Sequence, residues 1–166
     1  MDTSNSIVVN MDAYLVAFVV GVLHGKGNSA IVPRDHYFGS LLYNLLEKVP
    51  EDCHFVPSVH YRKVQLTLYI NSLGRAVDSR KRPDTHYYFP RSKQQEFEKS
   101  IRLFFDELFF TVVSITVEYT EDQIKKLIES FCDNYGIDYA QHSDALIKKY
   151  YRERKVRENK LCIFHP

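Results

Sequence analysis

The clearest periodic signal in the chain lies between Phe38 and Val49. There Phe38, Leu41, Leu42, Leu45, Leu46 and Val49 recur at the i, i+3, i+4, i+7, i+8, i+11 spacing of one helical face. Pro33 precedes this run and Pro50 closes it, which predicts a helix bounded by the two prolines. Upstream, Ser6-Ile7-Val8-Val9 predicts a short strand. Asn10 or Asp12 can then cap a helix that runs to about His24, where Gly25, Lys26, Gly27 and Asn28 stop it. That helix is apolar nearly all round. From Arg62 to Ile70 the period changes to two: Val64, Leu66, Leu68 and Ile70 alternate with Lys63, Gln65, Thr67 and Tyr69, as a strand with one buried face requires. After a polar stretch, Thr85-His86-Tyr87-Tyr88-Phe89 has the aromatic and β-branched content of a pairing strand and is closed by Pro90, so a hairpin with a long basic loop is the economical reading.

The second half reads as helices. Ser92 and Gln95 stand at capping-box spacing, and Phe97, Ile101, Phe104, Phe105, Leu108 and Val112 continue on helical spacing behind them. The tail of that segment, Thr111 to Val117, is rich in β-branched residues, and periodicity leaves helix and strand both open for it. Thr120 and Gln123 form a second capping box, followed by Ile124, Leu127, Ile128, Phe131 and Tyr135 on one face, with Gly136 as the stop. Ser143 is the predicted cap of a last helix reaching about Lys155 to Arg157, and Leu161 to Phe164 has room for a short edge strand. These elements predict an α+β fold: a predominantly helical single globular domain over residues 1–166 with a small antiparallel sheet or hairpin.

Composition narrows the class without naming a function. A chain of 166 residues with 45% hydrophobic and 26% charged residues can bury a core without disulfides or a metal. Cys53, Cys132 and Cys162 are an odd number with no C-x-x-C pair, which argues against a disulfide framework and a zinc module and for a reducing, cytoplasmic setting. The longest apolar run, Ala13 to Leu23, is about half of the ~20 residues a membrane-crossing helix needs. The residues ahead of it include Asp2 and Asp12 and no basic leader. A soluble protein without membrane contact is expected.

Charge changes the picture most. The net +1 conceals a segregation: residues 74–93 carry Arg75, Arg80, Lys81, Arg82, Arg91 and Lys93 against two aspartates, and residues 142–160 carry seven cations against three acids. Each stretch is +4, so the remainder is about −7. On the last helix, Lys148, Lys149, Arg152 and Lys155 fall on one face, with Leu146, Ile147, Tyr150 and Tyr151 on the other. Two helices joined across Gly136 and Ile137, the second one basic, suit a helix-turn-helix element whose cations rest on phosphates, although about seven residues separate Tyr135 from Ser143 where three or four are usual. The 75–91 loop mixes cations with His86, Tyr87, Tyr88 and Phe89, a combination that can track a phosphate backbone while rings stack on bases. The bland reading of both clusters is a solvated face and an ordinary exposed loop.

No catalytic pattern holds up. Gly21 to Gly27 is one residue short of a phosphate-binding loop, lacks Ser or Thr after Lys26 and follows a helix. The same stretch faintly resembles the helix-ending motif of LAGLIDADG homing endonucleases, but His24 and Lys26 stand where that motif uses acids to hold metal, so the family is not implied. Pro83-Asp84 with Glu96 and Lys99 misses the metal-nuclease spacing. Cys53, His54 and His60 supply no fourth metal ligand, and Cys132 lies on the apolar face of its helix, as an inert buried thiol would. The expectation is therefore a binding protein without catalysis, cofactor or metal. Nucleic acid or another polyanion would be its ligand, through Arg75, Arg80, Lys81, Arg82, Arg91, Lys148, Lys149, Arg152 and Lys155. The alternative is a protein-interaction or homo-oligomeric assembly module, built on the apolar helices around 13–23 and 97–112.

Overall fold

The computed structural model describes residues 5–48, 63–70, 87–113 and 119–163. In chain order the elements are β1 (Asn5–Met11), α1 (Ala13–Val22), β2 (Ser29–Val32), α2 (Tyr37–Leu45), β3 (Glu47–Lys48), β4 (Val64–Ile70), β5 (Tyr87–Tyr88), α3 (Arg91–Val113), α4 (Glu121–Asn134) and α5 (Tyr139–Ile163). The fold is a predominantly helical α+β arrangement with a small sheet. Two compact units divide it, Met1–Phe104 and Phe105–Pro166.

In the first unit the alternation of β4 is realised as predicted, and β4 becomes the centre of a mixed sheet in the order β1-β4-β2. It runs antiparallel to β1 (Val9 opposite Leu66) and parallel to β2 (Ala30 opposite Leu68). A parallel pair needs a long crossover, and α2 lies in the connection that supplies it. Ile7, Val9, Met11, Ala30, Val32, Leu66 and Leu68 are buried together with Leu15, Val16, Phe18 and Val19 of α1. Burial of each of the larger side chains among them contributes about 1.5–3 kcal/mol. Because β1 and β2 occupy both edges of β4, the hairpin anticipated between 62–70 and 85–89 does not form. β5 pairs with β3 instead, Glu47 opposite Tyr88. That pairing also ends α2 at Leu45, four residues before Val49, with Leu46 already extended.

The start of α2 is held by His36, whose Nδ1 accepts the Phe38 N–H at 3.1 Å. Gly39 is required there by close approach, since a Cβ would lie 1.9 Å from the Pro33 carbonyl oxygen. The rings of Phe18, Phe38 and Phe104 meet edge-on or tilted, and Tyr37 stacks on Phe104 at 5.1 Å. α1 ends where the sequence placed its stop, in a Schellman turn: Gly25 N–H donates to the Val20 carbonyl and His24 N–H to that of Gly21. His24 takes the left-handed position of that turn at φ 51°. α3 begins directly after Pro90, with Gln94 N–H bonded to the Pro90 carbonyl, so Ser92 lies inside the helix and does not cap it.

The second unit is built from the end of α3, α4 and α5. Residues 111–113 are helical, and 114–118 lie outside the described residues. Phe105 and Phe109 stack on each other and both meet Phe131 of α4 edge-on. The capping box of α4 is present as read: the Thr120 hydroxyl accepts the Gln123 N–H, and the Gln123 side chain accepts the Thr120 N–H. α4 ends in the same Schellman geometry as α1, here with Gly136 at φ 64° and the buried Ile137 donating to the Cys132 carbonyl. Among the described residues no helix is long and apolar enough to cross a membrane.

Candidate nucleic-acid interface

α5 starts four residues before the cap the sequence suggested. Asp138 closes its first turn, its carboxylate accepting the Gln141 N–H at 3.3 Å and its carbonyl the His142 N–H at 3.1 Å. Ser143 is therefore interior. The chain leaves the α4 turn at Ile137 and can cap at once with the next residue, because aspartate accepts both roles. The connection from Asn134 to Tyr139 is thus four residues, 135–138. The helix also continues through Ile163, replacing the edge strand drawn at 161–164. A continuous helix satisfies its own backbone groups where a lone strand would leave them unpaired.

The earlier start and the packing reassign two side chains. Leu146 and Tyr150 are the buried stripe of α5. Lys148, Arg152 and Lys155 are exposed, as the sequence face required, and among the described residues none of the three is held in an ion pair. Lys149 is half-buried: its ammonium meets the otherwise unpartnered Oδ1 of Asp106 without hydrogen-bond alignment, and lies 5.8 Å above the Phe105 ring. Tyr151, grouped by periodicity with the apolar side, is 40% exposed. The reason is rotational: with the stripe centred on Leu146 and Tyr150, Lys149 flanks it and Tyr151 turns to solvent at about 100° per residue. The signal that could have revealed this was Tyr139, Leu146 and Tyr150 at i, i+7, i+11, legible only once the helix is known to include Tyr139.

Of the cations predicted in the 74–93 stretch, Arg91 and Lys93 lie among the described residues. Arg91 is exposed at the first residue of α3, in the first unit. Lys93 is paired with Glu96 at 3.1 Å, which places Glu96 in a helix and away from any strand-borne metal motif. Arg75, Arg80, Lys81 and Arg82 lie outside the described residues, as do Pro83, Asp84, Cys53, His54 and His60. Among the described residues, no group of three or more His, Cys, Asp or Glu side chains is arranged to hold a metal ion. Cys132 is fully buried, and removal from water, reinforced by Asp133, Asp138 and Glu129, pushes its thiol up to about 11, so it is not a nucleophile near neutral pH.

The helices of the alternative reading are largely used inside their units. Leu15, Val16, Phe18 and Val19 of α1 and Phe97, Ile101, Phe105 and Phe109 of α3 are buried. Exposed apolar side chains instead gather on the outer face of the sheet, where Val8, Ile31 and Tyr69 project opposite the core.

A second polar cluster, missed in the sequence, lies in the first unit. Arg102 donates to the Tyr14 hydroxyl at 2.6 Å, to Asp12 at 2.8 Å and to Glu98 at 3.1 Å, and Lys63 pairs with the other oxygen of Glu98. Burial disfavours the charged guanidinium, but the hydrogen bond to Asp12 and the nearby Tyr14, Asp12 and Glu98 more than offset it, so Arg102 is held above its ordinary pKa. Two cations and two carboxylates neutralise one another here, leaving no net charge for a ligand. Comparison of the chain with protein-family models, with curated proteins and with solved structures found no match to any of them.

Proposed function

We propose that this chain is a non-catalytic binding protein of a reducing, cytoplasmic compartment whose basic surface engages nucleic acid or another polyanion. One observation carries the reading: Lys148, Arg152 and Lys155 are exposed at i, i+4, i+7 on α5 with no ion-pair partner among the described residues. They span about 10 Å of helix, a length matched to several backbone phosphates. The test is binding to labelled DNA and retention on heparin across a salt series. Three contacts give a log–log slope of up to about −2.7, and K148A/R152A/K155A should flatten it by about that amount. Absence of retention at low salt would end the reading.

A second reading, an assembly module, is favoured by the outer sheet face bearing Val8, Ile31 and Tyr69. It requires a stable oligomer by sedimentation at micromolar concentration, and a strict monomer counts against it.

A further inference from the structure

We infer that the α5 face is a platform for single-stranded nucleic acid, in which the Tyr151 ring stacks on an unpaired base while Lys148, Arg152 and Lys155 hold the adjoining phosphates. This rests on the polyanion reading and narrows it to one class of ligand.

The placement of Tyr151 is the ground for it. A tyrosine that only serves packing is expected to turn its ring inward, as Tyr150 does at 5% exposure. Tyr151 is 40% exposed, and its ring is braced edge-on by Tyr150, with centroids 5.4 Å apart and an interplanar angle of 75°. A T-shaped contact braces the ring and covers at most one of its faces, leaving the other for a partner. Along the helix Lys148 stands three residues before Tyr151 and Lys155 four after it, the two spacings at which helical side chains are neighbours. The exposed ring therefore lies between two exposed ammonium groups, with the Arg152 guanidinium beside them. A nucleic-acid strand offers the complementary pattern, an anionic backbone with flat bases at each residue, but its bases can be stacked on only where they are unpaired.

The same helix is poorly suited to reading a duplex. A recognition helix reaches base edges with its N-terminal residues. In α5 residues 139–147 hold no Lys or Arg and include the exposed Asp144, which a phosphate-lined groove repels. The cations begin only at Lys148, so α5 meets a strand along its side and not by its tip.

The experiment measures binding of the full chain to fluorescein-labelled oligonucleotides of about 12 residues, within the usual site size. Single-stranded DNA, single-stranded RNA of the same sequence, the DNA duplex and heparin are each titrated near ~50 mM salt. Wild type, Y151F, Y151L and K148A/R152A/K155A are compared after circular dichroism has shown equal helix content. We expect Y151L to lose about fivefold or more for the single strands, the lower range for one ring on one base, with duplex and heparin affinity and the salt slope unchanged. Y151F, which keeps the ring, should bind as wild type. The DNA and RNA arms identify which strand is preferred. If polyanions bind but single strands gain nothing over duplex and Y151L equals wild type, this inference is overturned while the polyanion reading stands. If no polyanion binds at all, both fall.

Discussion

Arg102 and Arg152 each occupy the middle of a long helix, and the fold treats them in opposite ways. Arg102 is enclosed by Asp12, Glu98 and Tyr14, and its charge is consumed in joining α3 to the start of α1. Arg152 lies on a face with two other cations and, among the described residues, has no carboxylate partner. A cation's number in the sequence tells nothing of this. What decides is whether folding brings an acid within about 4 Å, and that lesson extends to Lys149, which leaves the basic face for Asp106.

The comparison can be broken most forcefully at Glu98, nearly buried and shared by two cations. Glu98→Ala should cost about 2 kcal/mol in urea unfolding, below the range for a fully buried pair because Lys63 and Arg102 stay about one-third exposed to water. Arg152→Ala should shift the same curve by less than about 0.5 kcal/mol. Next comes binding: K148A/R152A/K155A should weaken polyanion affinity about tenfold or more at ~50 mM salt, while Arg102→Ala, read in the same titration, should leave the salt slope unchanged. Smaller effects are expected where the two units share a device. The Schellman turns of α1 and α4 differ in having His24 or Gly136 at the left-handed position, so His24→Gly should gain about 1 kcal/mol and Gly136→Ala should lose about 1 kcal/mol by thermal melting. The smallest is Lys149→Met, about 0.5 kcal/mol in stability with no change in salt slope, since Lys149 belongs with Arg102 in function. A flattened slope in that variant would return Lys149 to the binding face.

Much of the element pattern was legible because local chemistry is enough to specify it. The Thr120–Gln123 capping box and the Gly136 stop rest on contacts between residues close in the chain, and the alternation of β4 and the apolar run of α1 are patterns written in consecutive residues. The errors fell where partners are distant. β2, whose four residues carry no long alternation, was not recognised, and its parallel pairing to β4 could not be foreseen. β5 has the composition of a strand, yet its partner depended on both edges of β4 being already taken. Asp138 and Ser143 both have the chemistry of a cap, and only the tight exit from α4 selects the first.

For the candidate site, the sequence by itself determined that cations are concentrated in two stretches and that one stretch forms an amphipathic helix, since both follow from composition and a fixed helical repeat. Tertiary structure alone decided which of those cations, among the described residues, are drawn into ion pairs. The rotation of α5 about its axis is set by where Leu146 and Tyr150 find a core to enter, and a shift of one residue in that rotation exchanges Lys149 for Tyr151 on the exposed side. Burial is a property of what lies opposite, and what lies opposite is written elsewhere in the chain.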